Sequence, residues 1–344
     1  MTAADVLCFY RAPIKAPLLR AVLPALPDDA HVERHWLRGP HLLFRVPDGA
    51  AARRFADVLR DRLAALPSTS DITEARLLAE SEVAGRAELV PPPYGPIQPD
   101  NTVAVREVDR ARVVSILGER TALLRDTALA DGVPAVSDLL ARLGAAGDSP
   151  TERVLLACSA MAAIAAGHPS GCGLGAQSFR SHVDGLLFHE DTAGVLRARF
   201  DRAWSDGADE VVLRVRAAID GAETRWTSWQ SATRGLGALA GPPTGHSATA
   251  DRFGDPALSA RWRPATPGEG SEYHRVLARI DLTAPAVAGP LTAHRFTTNM
   301  LYLLLAVCDL APVERLLAAD LTARAVEVVT GLTWREQLAA VTGG

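Results

Sequence analysis

Lysine is all but missing from this chain. Lys15 is the only one, and every other basic residue is an arginine. Covalent catalysis through a buried Schiff-base lysine therefore has a single candidate, close to the N-terminus. Cysteine is sparse too: Cys8, Cys158, Cys172 and Cys308 form no CxxC pair and no Cys/His cluster at zinc spacing, so reduced, mostly buried thiols are expected. Aromatic residues make up only 5% of the chain. No block of basic residues occurs, and with a formal charge of −4 the composition argues against nucleic acid as a partner. Long hydrophobic runs are also lacking. The longest, Val154–Ala166 and Met300–Cys308, are too short to span a bilayer, and the first residues do not read as a signal peptide, so a cytoplasmic protein with no membrane partner is expected. There is no HExxH, no GxSxG and no phosphate loop: Gly171–Gly175 has neither the Lys-Ser/Thr nor the preceding strand that such a loop needs. No metal or cofactor is expected.

What is present is a chain of 344 residues, 48% of them hydrophobic, enough to bury one large core or two ordinary ones. An α+β opening is expected over residues 1–90. It comprises a strand over Asp5–Tyr10, a short helix Ala16–Leu26, a hairpin of Val32–Leu37 and His41–Val46 about Arg38-Gly39-Pro40, and an amphipathic helix Ala50–Leu66. The prolines of residues 91–101 make that stretch a loop. Beyond a strand at Thr102–Val108, residues 102–344 read as mainly helical. Helical spacing appears in Arg110–Leu124, Val136–Leu143, Thr151–Ala166, Gln177–Phe188, Ala193–Trp204, Glu210–Trp229 and Val313–Val329. A long Gly/Pro-rich loop over 234–273 and a strand over His274–Leu282 interrupt them. The whole is read as one unit.

The stretch from His294 to Leu305 is the first candidate to carry chemistry. It reads as a buried helix opening after Pro290, with His294, Thr298 and Tyr302 stacked at i, i+4 and i+8, and Arg295 and Asn299 in a second row. Polar groups sunk into such a helix need partners or a cavity. Either they line one, or His294 and Arg295 fray into solvent while Tyr302 is bonded in the core. Trp226 and Trp229, three residues apart with Gln230 and Thr233, either pack in the core or form a stacking wall for an aromatic substrate. Ser178 and His182 fall on one helical turn as a Ser–His pair with no orienting acid.

Three stretches taken in order resemble a known family, the C-terminal elimination domain of lantibiotic dehydratases and its stand-alone thiopeptide relatives. They are Trp36–Val46, similar to an aromatic-rich turn followed by a Pro-His-Leu-Arg-Leu-Arg strand; Ser178–His182, similar to a Ser-x-x-Ser-His helix start; and the His294–Leu305 helix with its successor ending Leu316–Leu321. Family members that eliminate glutamate from glutamylated Ser/Thr use two arginines and a histidine. Here Leu43 stands for the first arginine of the strand and only Arg45 survives, the segment Tyr94–Asn101 has no arginine, and Met300 follows Asn299 where an arginine is expected.

These departures favour the thiopeptide pyridine synthases. The resemblance implies a compact elimination-domain-like α+β fold and a cofactor-independent enzyme. Such an enzyme joins two dehydroalanines of a ribosomally made, leader-bearing, azole-containing precursor peptide in a formal aza-[4+2] cycloaddition, with loss of water and leader. Positioning is the main demand of that reaction. The implied roles are Tyr302 as proton donor, His294 as acid/base with Thr298 beside it, and Arg45, facing out of its strand, polarising the amide. Asn299, Ser178, His182, Trp226 and Trp229 would bind substrate. The leader would be gripped by the α+β portion or the 234–273 loop, and other modification enzymes of the pathway are candidate partners. A glutamate-eliminating lyase and a non-catalytic precursor-binding protein are the alternative readings.

Overall fold

A computed structural model describes residues 2–240, 245–261 and 270–342. Cα packing divides the chain into two compact units. The first comprises Met1–Gly144, Gly241–Pro264 and Ala306–Asp309; the second comprises Ala145–Ala240, Ala265–Leu305 and Leu310–Gly344.

The first unit is built on an antiparallel four-stranded sheet of order β2-β3-β1-β4, with β1 Ala4–Phe9, β2 His31–His35, β3 His41–Val46 and β4 Thr102–Glu107. Every residue of β1 is buried, as expected of a central strand. The hairpin turns at Arg38 and Gly39, both at positive φ, where glycine is strain-free. Helix α1 (Ala16–Val22) runs into a 3-10 turn at Leu23–Ala25. Helix α2 (Gly49–Ala65) starts where the Asp48 carboxylate accepts from the backbone N–H groups of Ala50 and Ala51. Its Phe55 meets Phe44 of the sheet edge-on, ring centroids 5.0 Å apart. Helices α3 (Glu74–Glu88), α4 (Ala111–Leu117) and α5 (Glu119–Ala145) complete the main body of this unit. Lys15 is buried, its Nζ donating to the carbonyls of Tyr10 and Ala12, and burial lowers its pKa to about 8.

The second unit is helical. Helices α6 (Pro150–Ala166), α7 (Cys172–Glu190), α8 (Val195–Ile219) and α9 (Thr224–Leu239) come first. Helix α13 (Pro285–Val307) contributes its residues up to Leu305, and α14 (Pro312–Thr330) and α15 (Trp334–Thr342) close the chain. Helix α6 is buried along most of its length and packs against α7, α8, α9 and α14. Two glycines set its neighbours' distances. A Cβ on Gly175 would collide with the backbone of Ala165, and one on Gly237 would lie 2.8 Å from the carbonyl oxygen of Ala293, so α7 meets α6 and α9 meets α13 backbone to backbone.

The expected α+β class is the observed one. Several boundaries differ. Residues 234–239 continue α9, and the rest of the expected long loop holds short helices α10 (His246–Asp251) and α11 (Pro256–Arg261), with 241–244 and 262–269 outside the described residues. The expected strand at His274–Leu282 is instead helix α12 (Glu272–Leu277), because Ser271 caps it by accepting from the His274 N–H. Helix α13 begins at Pro285, before Pro290, since a proline is well suited to a helix's first turn. All four cysteines are free, and Cys8, Cys158 and Cys308 are buried. Among the described residues no helix is long and apolar enough to cross a membrane.

Candidate active site

A cavity of about 400 Å³ opens in the second unit. That is within the range of small-molecule and cofactor sites. Its walls come from the turn at His168 and Ser170, the first turns of α7, the segment from Tyr273 to Leu282, α13 from Val287 to Asn299, and Leu338 of α15. Leu174, Leu277, Ile280, Leu282, Pro290 and Leu291 make much of the wall apolar. Among the described residues no carboxylate lines it, and Arg295 is the one guanidinium that does.

Helix α13 delivers polar groups as its spacing predicts, and then stops short. His294 and Thr298 of the first row and Arg295 and Asn299 of the second all line the cavity. Tyr302, one turn further, does not line it. Its ring lies against those of His182 (5.1 Å) and Phe179 (6.5 Å), and its hydroxyl is buried with no hydrogen-bond partner among the described residues. Burial raises the Tyr302 pKa further above the ordinary phenol value.

The site's histidines are held neutral. His294 is 3% exposed, and its Nε2 lies 2.8 Å from the Gly175 carbonyl oxygen, so that nitrogen carries the proton and donates. Burial, and to a smaller extent His168, whose ring meets it edge-on at 5.0 Å, bring its pKa down to about 4. His182 is exposed to the cavity, while the protein walls around it, together with the positive charge of Arg295 and the neighbouring His274, lower its pKa to about 4. Two wall residues hold buried oxygens without partners among the described residues: Thr298 Oγ1 and Gln177 Oε1. Such groups are costly unless a ligand or water meets them.

The expected Ser178–His182 pair is not joined by a hydrogen bond, although both residues line the cavity. The hydroxyl–imidazole contact that exists is between Ser181 and His274, Oγ to Nε2 at 3.1 Å. Ser181 lines the cavity, and His274 was expected in a strand. Gln177, Tyr273 and His168 are further wall residues that residue patterns did not single out; only Ser181, second serine of the Ser-x-x-Ser-His stretch, carried a local signal.

Arg45 and the two tryptophans stand elsewhere. Arg45 is 6% exposed in the first unit and does not face out of its strand. It lies opposite Asp5 across the β1–β3 pair, donates to both Asp5 oxygens at 2.8 and 3.1 Å, and reaches Asp126 Oδ2 at 3.1 Å. Arg110 and Arg125 also bind Asp126, and Arg125 binds Glu33. His31, Glu33 and Asp126 bring ligand atoms within 4.8 Å of one another, but these guanidinium groups already occupy the carboxylates. Trp226 and Trp229 are 1% and 3% exposed, meet edge-on at 5.6 Å and belong to the core beside α6, because the inward face of α9 carries them away from the cavity.

No protein-family model matches the sequence, and no curated protein matches it. Solved structures do match. One is the pyridine synthase TbtD from thiomuracin biosynthesis, 23% identical with a TM-score of 0.68, covering 96% of this chain and 99% of that one. The chain has the fold of a pyridine synthase. The structure of TsrL is similar as well, 17% identical with a TM-score of 0.59 and 99% of each chain covered. The likeness runs almost end to end in both cases.

Proposed function

We propose that this protein is a thiopeptide macrocyclase. It joins two dehydroalanines of a leader-bearing, azole-containing precursor peptide by a formal aza-[4+2] cycloaddition, with loss of water and of the leader, to leave a pyridine at the ring junction. The observation that carries this reading is the cavity itself, apolar-walled and, among the described residues, without a carboxylate and fringed by neutral imidazoles, hydroxyls and one guanidinium, within the fold of a pyridine synthase.

Holding two distant alkenes in contact is chiefly a matter of lost freedom, and well-oriented intramolecular reactants reach effective molarities of about 10⁵–10⁸ M. An apolar cavity that excludes water serves that purpose, and azole and alkene groups match its leucine and isoleucine walls. The polar rim handles the amide that must react as its iminol. Arg295 and Asn299, one turn apart on α13 and both exposed to the cavity, polarise a carbonyl oxygen, which takes over the task expected of Arg45. Thr298 Oγ1 supplies a hydroxyl with no competing partner among the described residues. The neutral imidazoles of His294 and His182 accept hydrogen bonds at low cost in an apolar setting. Tyr302 acts through His182, whose ring it supports. Ser178 is left as a substrate contact. The leader is assigned to the edge strands β2 and β4, which offer unpaired backbone groups for strand addition.

Glutamate elimination is the weaker reading, since the described cavity wall offers a single guanidinium. The purified full chain incubated with a dehydrated, azole-containing precursor tests the assignment by mass spectrometry. Release of the leader as its carboxamide together with a macrocycle is the expected result. Glutamate release from a glutamylated precursor would replace it with the lyase, and tight leader binding at unchanged mass with a non-catalytic partner.

A further inference from the structure

We infer that Ser181 and His274 form the proton relay of this cavity, with Ser181 as the catalytic residue that touches the substrate amide and His274 as the base behind it, an inference that rests on the cavity being the site of ring closure. Ser181 is on the cavity wall, whereas His274 is not among the residues lining it. The serine Oγ lies 3.1 Å from His274 Nε2, and on the other side of the ring Nδ1 lies 2.8 Å from Ser271 Oγ. Ser271 Oγ also accepts from the His274 backbone N–H, which fixes it as the cap of α12 and leaves it placed to accept from Nδ1–H as well. With the proton on Nδ1, Nε2 presents its lone pair to the Ser181 hydroxyl. The ring lies over Gly185, one turn beyond Ser181, where a Cβ would meet His274 Cε1 at 3.5 Å.

His294 and His182 are poorly placed for this task. His294 has committed Nε2 to the Gly175 carbonyl. His182 is packed on Tyr302 and faces the charge of Arg295, which opposes its protonation. His274 is half-buried and feels Arg295 and His189 as well, but it alone of the three also feels an anion, Asp184, which favours its protonated form. It is the imidazole best able to hold a proton transiently. Tyr273 adds a ring edge-on at 5.3 Å.

The step balances without any external reactant. As the amide N–H proton of the substrate passes to Ser181 Oγ, the serine's own proton passes to His274 Nε2. The electron pair left on nitrogen forms the C=N bond, and the carbonyl pair moves onto oxygen. The proton then returns from His274 through Ser181 to that oxygen. Amide becomes iminol, and the enzyme is unchanged.

The test compares wild type with Ser181→Ala and His274→Gln, both as the full chain, on the dehydrated precursor. Expected are losses in turnover of about 100-fold or more for each variant, within the range for general acid–base groups, with leader affinity unchanged. The alkaline-rising limb of the wild-type pH profile should vanish in His274→Gln, which a purely structural loss would not cause. Wild-type turnover with an unaltered profile in either variant overturns the relay. If wild type itself leaves the precursor uncyclised, it is the pyridine-synthase reading that fails, and the His274 ring titration followed by NMR decides the relay separately. Loss of the Ser181 hydroxyl should then raise the His274 pKa toward its ordinary value, because a donor to the neutral ring has been removed; an unmoved titration overturns the relay.

Discussion

The imidazole of His294 donates from Nε2 to the carbonyl oxygen of Gly175 at 2.8 Å, joining α13 to the start of α7 across 119 residues of sequence. The contact exists because Gly175 lacks a side chain, which lets α7 press against the backbone of α6 at Ala165. Gly175→Ala should therefore act at both places. It should destabilise the fold by about 1–3 kcal/mol through overpacking and displace the carbonyl from His294. Urea denaturation measures the first effect, and the chemical shift of the His294 ring the second.

Acid should weaken the protein partly through the same histidine. Its folded pKa of about 4 lies below the ordinary 6.5, so the unfolded chain binds more protons between those values. The sign follows: the His294 contribution is present above pH 6.5 and is lost as pH falls toward 4, up to roughly 3 kcal/mol. His294→Gln should flatten the fall in stability between pH 6.5 and 4 relative to wild type, and denaturation midpoints across that interval check it.

Thr298 and Tyr302 each hold a hydroxyl without a partner among the described residues, but only Thr298 lines the cavity. Thr298→Val and Tyr302→Phe should both stabilise the free protein, by about 1 kcal/mol each, since an unsatisfied buried polar group is removed. Their effects on turnover should separate. Thr298→Val is expected to slow ring closure about tenfold, whereas Tyr302→Phe, which keeps the ring supporting His182, should stay within about twofold of wild type. Steady-state kinetics on the dehydrated precursor distinguish the two.

Arg45 should prove to be a residue of the fold. Arg45→Ala leaves Asp5 short of its cross-strand partner and Asp126 with one guanidinium fewer in a buried setting, at an expected cost of about 3–5 kcal/mol. The measurement is the denaturation midpoint together with turnover per folded molecule, which should be nearly unchanged.

Trp226 makes the matching case in the second unit. Trp226→Ala should cost about 3–5 kcal/mol as a large buried side chain is lost from the core beside α6. Trp226→Phe should retain the KM for the precursor, because the ring does not line the cavity. A raised KM in the phenylalanine variant would restore the stacking wall.

By itself the sequence determined many of the local elements and the class of fold. The short apolar run of β1 and the paired runs around Arg38-Gly39 specify strands and a hairpin, and the 3.6 period specifies α2, α6 and α14, because each follows from backbone geometry within a few residues. The same period placed His294, Thr298, Arg295 and Asn299 on shared faces, and four of those polar groups do meet one cavity. The strand expected over His274–Leu282 took no account of Ser271, whose side chain caps Glu272–Leu277 as helix. What the tertiary structure alone decided is where each face points and what meets it. The cavity ends one turn before Tyr302, Arg45 is turned inward by Asp5 and Asp126, the tryptophans join the core, and Ser181 finds its imidazole 93 residues away. Periodicity reports that a face is apolar or polar. Which side chains converge on it is set by helix packing, and here by glycines such as Gly175 and Gly237 that bring backbones into contact, a relation between distant residues that no local spacing encodes.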